Sequence, residues 1–567
     1  MVDFSIKITG TAGSGIFTLG ELISHIFKNF NYNVFYSTEF PSVIKGGHNM
    51  CSIRISDKDI NSEREFHDVL ICMNEKKVID DIDFLKKDGV LITNSKNSYE
   101  THEYKIFNIE VDKNHQNMSF FSATSKILGF TENEMTRVIR HFFKKKSDEV
   151  IENNLQIINN SYDVDLVSVF EFKKLVASDK NKIFIDGNSA ISIGAIKAGV
   201  GFVGEYPITP STSILHYLMK KKDDFNIKIK QTEDEIASIM SIIGASTVGV
   251  RAMTATSGAG FSLMCEGIGM AATSETGVVI FNVQRGGSST GLPTYTGQAD
   301  LNLAVNISHS ENNYIVLAPS SIEESFYMSF EAFNLADVYQ VPVIVLTDKF
   351  LADSKKVIDG FYDKNLKIDR GKIILNEKDL PENYKRYEYL KDNISNRVVP
   401  GISGGESVIS SYEHTESGFT AEDVENTNKM IEKRFKKLEN MELDFIMPKF
   451  YGNKDSDLTI VCWGSTYGVV KDVIDNLVDS GKNVSMLYFN VLNPLNSDKL
   501  KDVLLNLNNV LIVEGNYQGQ LRDLIARRCG VFYNNTFLKY DGRSFKFEEV
   551  KSRILEEFEK WVSINLV

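Results

Sequence analysis

Three apolar runs narrow the fold class more than any other part of the sequence. GVVIFNV (277–283), YIVLA (314–318) and VPVIVLT (341–347) carry almost no polar interruption, and glycine turns and amphipathic stretches surround them. Strands of this kind are covered on both faces, as in a parallel sheet flanked by helices. The N-terminal end reads the same way. Phe4, Ile6 and Ile8 alternate as a strand, the turn GTAGSG follows at 10–15, and Ile16, Leu19, Ile23, Phe27 and Phe30 recur at helical spacing. Further strand-like runs stand at 33–37, 51–56, 69–73, 90–93 and 104–111, ahead of a polar helical tail to about 170.

A second α/β segment opens at KIFIDGNSAISIGAIKAG, 182–199. From about 355 to 450 the chain turns polar and irregular, and a last α/β segment begins at DLTIVCWGS, 457–465. With 567 residues and roughly 150 residues per domain, three or four domains fit. The expected divisions are 1–175, 180–354, an excursion at 355–455, and 456–567. The fold class expected is multidomain α/β.

Composition bounds the partners. A net charge of -13 argues against nucleic acid or an anionic membrane as a general partner. No stretch of about 20 apolar residues is free of charge, so no membrane span is expected. The N-terminus lacks a basic start followed by an apolar run, so it does not read as a signal peptide. Cys51, Cys72, Cys265, Cys462 and Cys529 are scattered, with no Cys-x-x-Cys pair. That suits a reduced, cytoplasmic protein and leaves no thiolate cluster for an iron–sulfur centre on this chain.

Several strings carry chemistry. Gly10, Gly13 and Gly15 lie between a strand and a helix, where backbone amides favour an anion, although a tight structural turn has the same pattern. KGGH at 45–48 sets Lys45 beside an open backbone; a hairpin with a solvated lysine reads equally well. In YPITPS, Tyr206, Pro207 and Ile208 look like a strand end. Thr209 then fits an N-cap, with Pro210 at the first helical position. Such a helix start is a receptor for a small carboxylate, but most caps bind nothing. In QTEDEIASIM, Glu233, Asp234 and Glu235 precede a helix whose buried face is read as Ile236, Ile239, Met240 and Ile243. Acids there usually serve the helix dipole. A carboxyl among apolar residues instead has a raised proton affinity. TATSGAG supplies Thr256, Ser257 and Gly258, small residues that permit close backbone approach. Arg285 follows an apolar strand, where ligands bind in open α/β sheets and a guanidinium grips carboxylates; it also reads as a loop brace.

Together, GTAGSG, KGGH, YPITPS, TATSGAGFSLM, QRGGSSTGLPT and VEGN (513–516) resemble the 2-oxoacid:ferredoxin oxidoreductases. The resemblance is to an alpha subunit with the small gamma-type domain fused in front, and departs at Ser14, where the family usually has Gln. It implies a pyrimidine-type thiamine diphosphate domain at 180–354 and a transketolase C-terminal-like domain at 456–567. It makes Glu235 the cofactor-activating acid, with Glu233 as the alternative. Thr209 and Arg285 become the carboxylate ligands, and Lys45 a candidate for a second carboxylate. Tyr206, Pro207, Ile208, Thr256, Ser257 and Gly258 fall at the thiamine diphosphate site, and Gly10, Gly13 and Gly15 at a coenzyme A site. FIDGNSA contains D-G-N but not the full diphosphate signature. The diphosphate, Mg²⁺ and [4Fe–4S] clusters are therefore expected on a beta subunit, in a dimer of alpha-beta heterodimers that reduces ferredoxin. The expected reaction is coenzyme A-dependent oxidative decarboxylation of 2-oxoglutarate, running in reverse to fix CO₂ as well. Pyruvate or a branched-chain 2-oxoacid is the rival substrate, and a non-catalytic coenzyme A-binding scaffold the rival class.

Overall fold

The computed structural model describes residues 2–41, 47–94, 103–111, 115–162, 166–176 and 182–565. The chain divides into two compact units. The first comprises Met1–Asp186, Asp353–Gly360 and Phe545–Ser552, and the second the remainder.

In the first unit, Asp3–Thr11 lies at the middle of an eight-stranded mixed sheet, antiparallel to His48–Ser56 and parallel to His67–Cys72. The alternation read at Phe4, Ile6 and Ile8 faces the helix Ile16–Asn29, and these residues share one core with Phe27, Ile53, Ile71 and Phe120. The helices Gln116–Ile127, Glu132–Phe142 and Asp148–Tyr162 form the tail expected before 170. The strand Ile183–Asp186, which the sequence assigns to the next segment, belongs to this sheet instead. It pairs antiparallel with Lys355–Ile358, and that strand pairs with Asn33–Glu39. A four-residue strand carries too little local pattern to choose its sheet.

The second unit holds a seven-stranded sheet. Its order is Val491–Asn493, Ile315–Leu317, Val343–Asp348, Val279–Gln284, Ala252–Thr256, Phe202–Glu205, Lys228–Gln231. All pairs are parallel except the one made by Val491–Asn493. The three apolar runs are adjacent strands here, covered on both faces by residues such as Phe281 and Val345 on one side and Ile280 and Ile344 on the other. From Phe202–Glu205 the chain steps outward to Lys228–Gln231, then returns to Ala252–Thr256 on the opposite side. Strand order therefore reverses between Phe202–Glu205 and Ala252–Thr256, which opens a crevice beyond their C-terminal ends. A second, five-stranded sheet contains Leu458–Trp463 and Val510–Glu514 as parallel neighbours. Among the described residues no helix is long and apolar enough to cross a membrane.

Candidate functional site

The strings that hold Thr209, Glu235, Thr256 and Arg285 lie at the C-terminal ends of neighbouring strands of this sheet, on the side of that crevice. After Phe202–Glu205 the chain turns through Tyr206 to Pro210. The helix starts at Thr212 rather than Pro210, so Thr209 is not its cap. The reason is that Ile208 carbonyl already accepts from Thr212 N at 3.1 Å and Ser211 Oγ at 2.9 Å, closing a turn before the helix. Asn188 holds the turn from below, donating to Pro210 carbonyl at 2.9 Å.

Glu235 opens the helix Glu235–Thr247, which Asp234 caps by accepting from Ala237 N at 2.8 Å. Its side chain is buried (5 % exposed) while Glu233 is exposed. Burial raises the Glu235 carboxyl above the usual range, with Asp234 adding to the rise and the Thr256 hydroxyl acting against it. Thr256 ends the neighbouring strand and leads through Ser257 into the helix Gly258–Leu263. A Cβ on Gly260 would overlap both Glu235 Oε1 and Thr256 Oγ1, so only glycine lets this backbone reach the carboxyl. The helix differs from the expected burial: Ile239 and Ile243 are buried with Ile242, but Ile236 and Met240 are 49 % and 37 % exposed.

Arg285 follows Val279–Gln284. Its Nη1 donates to Thr209 carbonyl at 2.8 Å, bringing two of the predicted carboxylate ligands together. The loop beyond it is pinned to the smaller sheet. Thr296 N donates to Gly542 O at 3.1 Å, Gln298 Nε2 to Trp463 O at 3.0 Å, and Gly515 N to Gln298 Oε1 at 2.8 Å. In the VEGN string, Glu514 accepts from Trp463 Nε1, Asn516 Nδ2 and Leu521 N, an architectural role.

Sequence reasoning missed two acids of this region. Asp300 accepts from Asn282 Nδ2 at 3.1 Å. Glu205 is fully buried and neither carboxylate oxygen has a partner among the described residues; burial pushes its pKa well up. An acid closing an otherwise apolar strand was the only signal for Glu205, and Asp300 stood in no string that pattern alone could single out.

In the first unit, Gly15 caps Ile16–Asn29 at φ 82° without a side-chain cap, and no acid occupies that first turn. The helix Gln116–Ile127 likewise starts with neither cap bond nor acid. The two starts adjoin, since a Cβ on Gly15 would stand 2.9 Å from Asn117 Cβ. Buried Asn49, paired with Gly10, has no partner for its Oδ1 among the described residues. Two uncapped helix starts beside a glycine turn form an electropositive cradle of backbone amides. Lys45 lies outside the described residues.

Comparison with known proteins agrees with this architecture. Residues 193–433 match the family model described as pyruvate flavodoxin/ferredoxin oxidoreductase, thiamine diphosphate-binding. Residues 5–164 match pyruvate ferredoxin/flavodoxin oxidoreductase, and 456–550 match pyruvate:ferredoxin oxidoreductase core domain II. The fold and site thus define a multidomain α/β oxidoreductase chain with a thiamine diphosphate-binding domain. The 2-oxoacid:ferredoxin oxidoreductase subunit alpha of a Sulfolobus species is 32 % identical, over 98 % of both chains. The 2-oxoglutarate synthase subunit KorA of Methanocaldococcus jannaschii is 35 % identical over 61 % of this chain and 91 % of its own. A solved 2-oxoglutarate:ferredoxin oxidoreductase from Magnetococcus marinus, with 2-oxoglutarate, coenzyme A and succinyl-CoA bound, superposes with a TM-score of 0.91. It is 30 % identical, over 98 % of this chain and 100 % of that one. The chain belongs to the 2-oxoacid:ferredoxin oxidoreductase family, among the alpha subunits.

Proposed function

We propose that this chain is the larger subunit of a cytoplasmic 2-oxoglutarate:ferredoxin oxidoreductase. The reaction converts 2-oxoglutarate, coenzyme A and two oxidised ferredoxins into succinyl-CoA, CO₂, a proton and two reduced ferredoxins, and is reversible. The observation that carries the reading is the Arg285–Thr209 contact, together with a buried Glu235 whose proton affinity burial raises.

The residues fit the aminopyrimidine half of thiamine diphosphate. Glu235 offers a carboxyl of raised proton affinity, and Gly260 lets the backbone pack directly against that carboxyl and the Thr256 hydroxyl. When bound, thiamine diphosphate supplies the nucleophilic carbon and electron sink for decarboxylation. Glu235 shares a proton through a carboxyl oxygen, a role suited to a desolvated acid. The Arg285 guanidinium, with donors left over after Thr209, and the Thr209 hydroxyl orient the 2-oxoacid carboxylate. Tyr206, Pro207 and Ile208 shape the same rim.

Ile236 and Met240 face outward on the helix that Glu235 opens, apolar surface that a second chain would cover. A beta subunit there would bring the diphosphate site, Mg²⁺ and [4Fe–4S] clusters, and the active particle would be a dimer of alpha-beta heterodimers that passes electrons to ferredoxin. The uncapped cradle at Gly10, Gly13 and Gly15 suits coenzyme A phosphates. The choice of 2-oxoglutarate rests on the KorA and Magnetococcus relatives.

Co-expression with its beta subunit, followed by coenzyme A-dependent viologen reduction on a panel of 2-oxoacids, tests this. Activity with 2-oxoglutarate that needs both chains and thiamine diphosphate is expected. Preference for pyruvate or a branched-chain 2-oxoacid overturns the substrate. Silence of a cluster-loaded complex with all of them overturns the enzyme in favour of a scaffold.

A further inference from the structure

The string FIDGNSA ends in an asparagine to which the chemistry above gives no task. Gly187 opens the helix Gly187–Lys197 so close to Leu351 that a Cβ on it would stand 2.2 Å from the Leu351 carbonyl oxygen. That approach carries the next residue, Asn188, into the interior, where it is fully buried. Its amide nitrogen reaches the turn that follows Phe202–Glu205: Asn188 Nδ2 donates to Pro210 carbonyl at 2.9 Å and to Ser213 Oγ at 2.7 Å. Its Oδ1 is buried without a partner among the described residues. An unpaired buried acceptor costs stability, so what this side chain contributes lies in its two N–H donors.

Three consecutive carbonyls of that turn are each held by a different group. Ile208 accepts from Thr212 N at 3.1 Å and Ser211 Oγ at 2.9 Å, Thr209 from Arg285 Nη1 at 2.8 Å, and Pro210 from Asn188. The peptide planes on either side of Pro210 are joined by its φ and ψ alone. The proline ring fixes φ, so a single soft torsion separates the carbonyl that Asn188 holds from the carbonyl that Arg285 grips. Asn188 therefore acts on the Arg285–Thr209 contact through one rotatable bond. No hydrogen bond among the described residues links it to Glu235 or Gly260.

We propose that Asn188 is a positioning residue for the 2-oxoacid: it holds the Thr209–Pro210 turn where Arg285 meets it, and so sets the geometry in which Arg285 and Thr209 together receive the substrate carboxylate. This rests on the functional reading above, in which those two residues are the carboxylate ligands. Without Asn188 the ψ of Pro210 is free to relax, and the Thr209 carbonyl moves relative to the guanidinium. The two ligands then no longer present one fixed site, and part of the binding energy is lost to ordering them when substrate arrives.

The test uses the complex of this chain with its beta subunit. Asn188→Ala removes both donors; Asn188→Asp keeps the shape but sets an acceptor against the Pro210 carbonyl, and it keeps the test open if the alanine variant does not assemble. Each is expected to raise KM for the 2-oxoacid about three- to tenfold, a larger factor than any change in kcat. The thiamine diphosphate concentration giving half-maximal activity should stay at the wild-type value, a separation that general loosening of the fold would not produce. In an Arg285→Ala background Asn188→Ala should add little to KM, because the contact it positions is gone. An unchanged KM in an active variant, a rise in KM that persists in full without Arg285, or a parallel loss of thiamine diphosphate affinity overturns the proposal alone. So does failure of both variants to assemble, which would make Asn188 a residue of the fold and not of the site. Inactivity of the wild-type complex on every 2-oxoacid overturns the functional reading and this inference with it.

Discussion

The guanidinium of Arg285 donates to the carbonyl oxygen of Thr209 at 2.8 Å across a gap one strand wide. Their strands, Val279–Gln284 and Phe202–Glu205, are separated in the sheet by Ala252–Thr256. The arginine therefore spans the crevice at the point where strand order reverses, and its remaining donors stay available to a carboxylate. Arg285→Ala should raise KM for the 2-oxoacid by about 10- to 100-fold, the loss of a charge-assisted pair. Arg285→Lys should recover only part, since an ammonium cannot hold Thr209 and a planar carboxylate in one fork. Steady-state kinetics on the assembled enzyme decide it: an unchanged KM in the alanine variant removes Arg285 from the substrate site.

Glu235 and Glu233 separate cleanly by burial. Glu235→Gln should abolish turnover, on the order of a thousandfold or more, while circular dichroism and melting stay near wild type. Glu233→Gln should retain most activity. The reverse ranking would exchange their roles.

Gly260 touches that carboxyl directly. Gly260→Ala forces the backbone or Glu235 to move, costing about 1–3 kcal/mol of stability and a larger share of turnover. Parallel unfolding and rate measurements test this, and a variant with wild-type kcat would show that the backbone can yield without disturbing Glu235.

Glu205 makes stability depend on pH. Its folded pKa is raised by burial above the ordinary 4.5. The folded state therefore holds the proton more tightly, and stability falls as pH rises from about that value through the raised one. Glu205→Leu removes this loss and should be more stable than wild type at neutral pH by about 1–3 kcal/mol, with a smaller gain near pH 5. An identical gain at both pH values would mean that Glu205 does not titrate in this window.

Glu275 is the opposite case. Burial alone would raise its carboxyl, but Lys433, Lys437 and Arg386 more than offset that and hold it well below the usual range. Lys433 Nζ and Lys437 Nζ stand 2.5 and 2.7 Å away. Its contribution is present above the ordinary carboxylate pKa and is lost as pH falls through the depressed one. Glu275→Gln leaves two buried lysines without their anion and should cost about 3–5 kcal/mol in denaturant unfolding at neutral pH. A cost below about 1 kcal/mol would mean that the lysines find other partners.

Much of this molecule is legible in local pattern. Apolar runs such as VPVIVLT announce buried parallel strands because their composition leaves no face for water, and two of the strings single out Thr209 and Arg285, which the fold joins by a hydrogen bond. What short-range pattern leaves open is set by distance in the chain. Glu235 and Glu233 are two residues apart with the same chemistry; only the packing of Thr256 and Gly260 desolvates one of them. Ile236 and Met240 share the helical spacing of Ile239 and Ile243, yet among the described residues no element covers them. The strand Ile183–Asp186 finds its partner at Lys355–Ile358, more than 160 residues on. Asp300 and Glu205 gain their properties from neighbours brought in by the sheet. Strand and helix propensity act over a few residues and are written in the sequence. Desolvation, charge coupling and sheet membership depend on which distant segments fill the surrounding space, and the tertiary structure alone decides them.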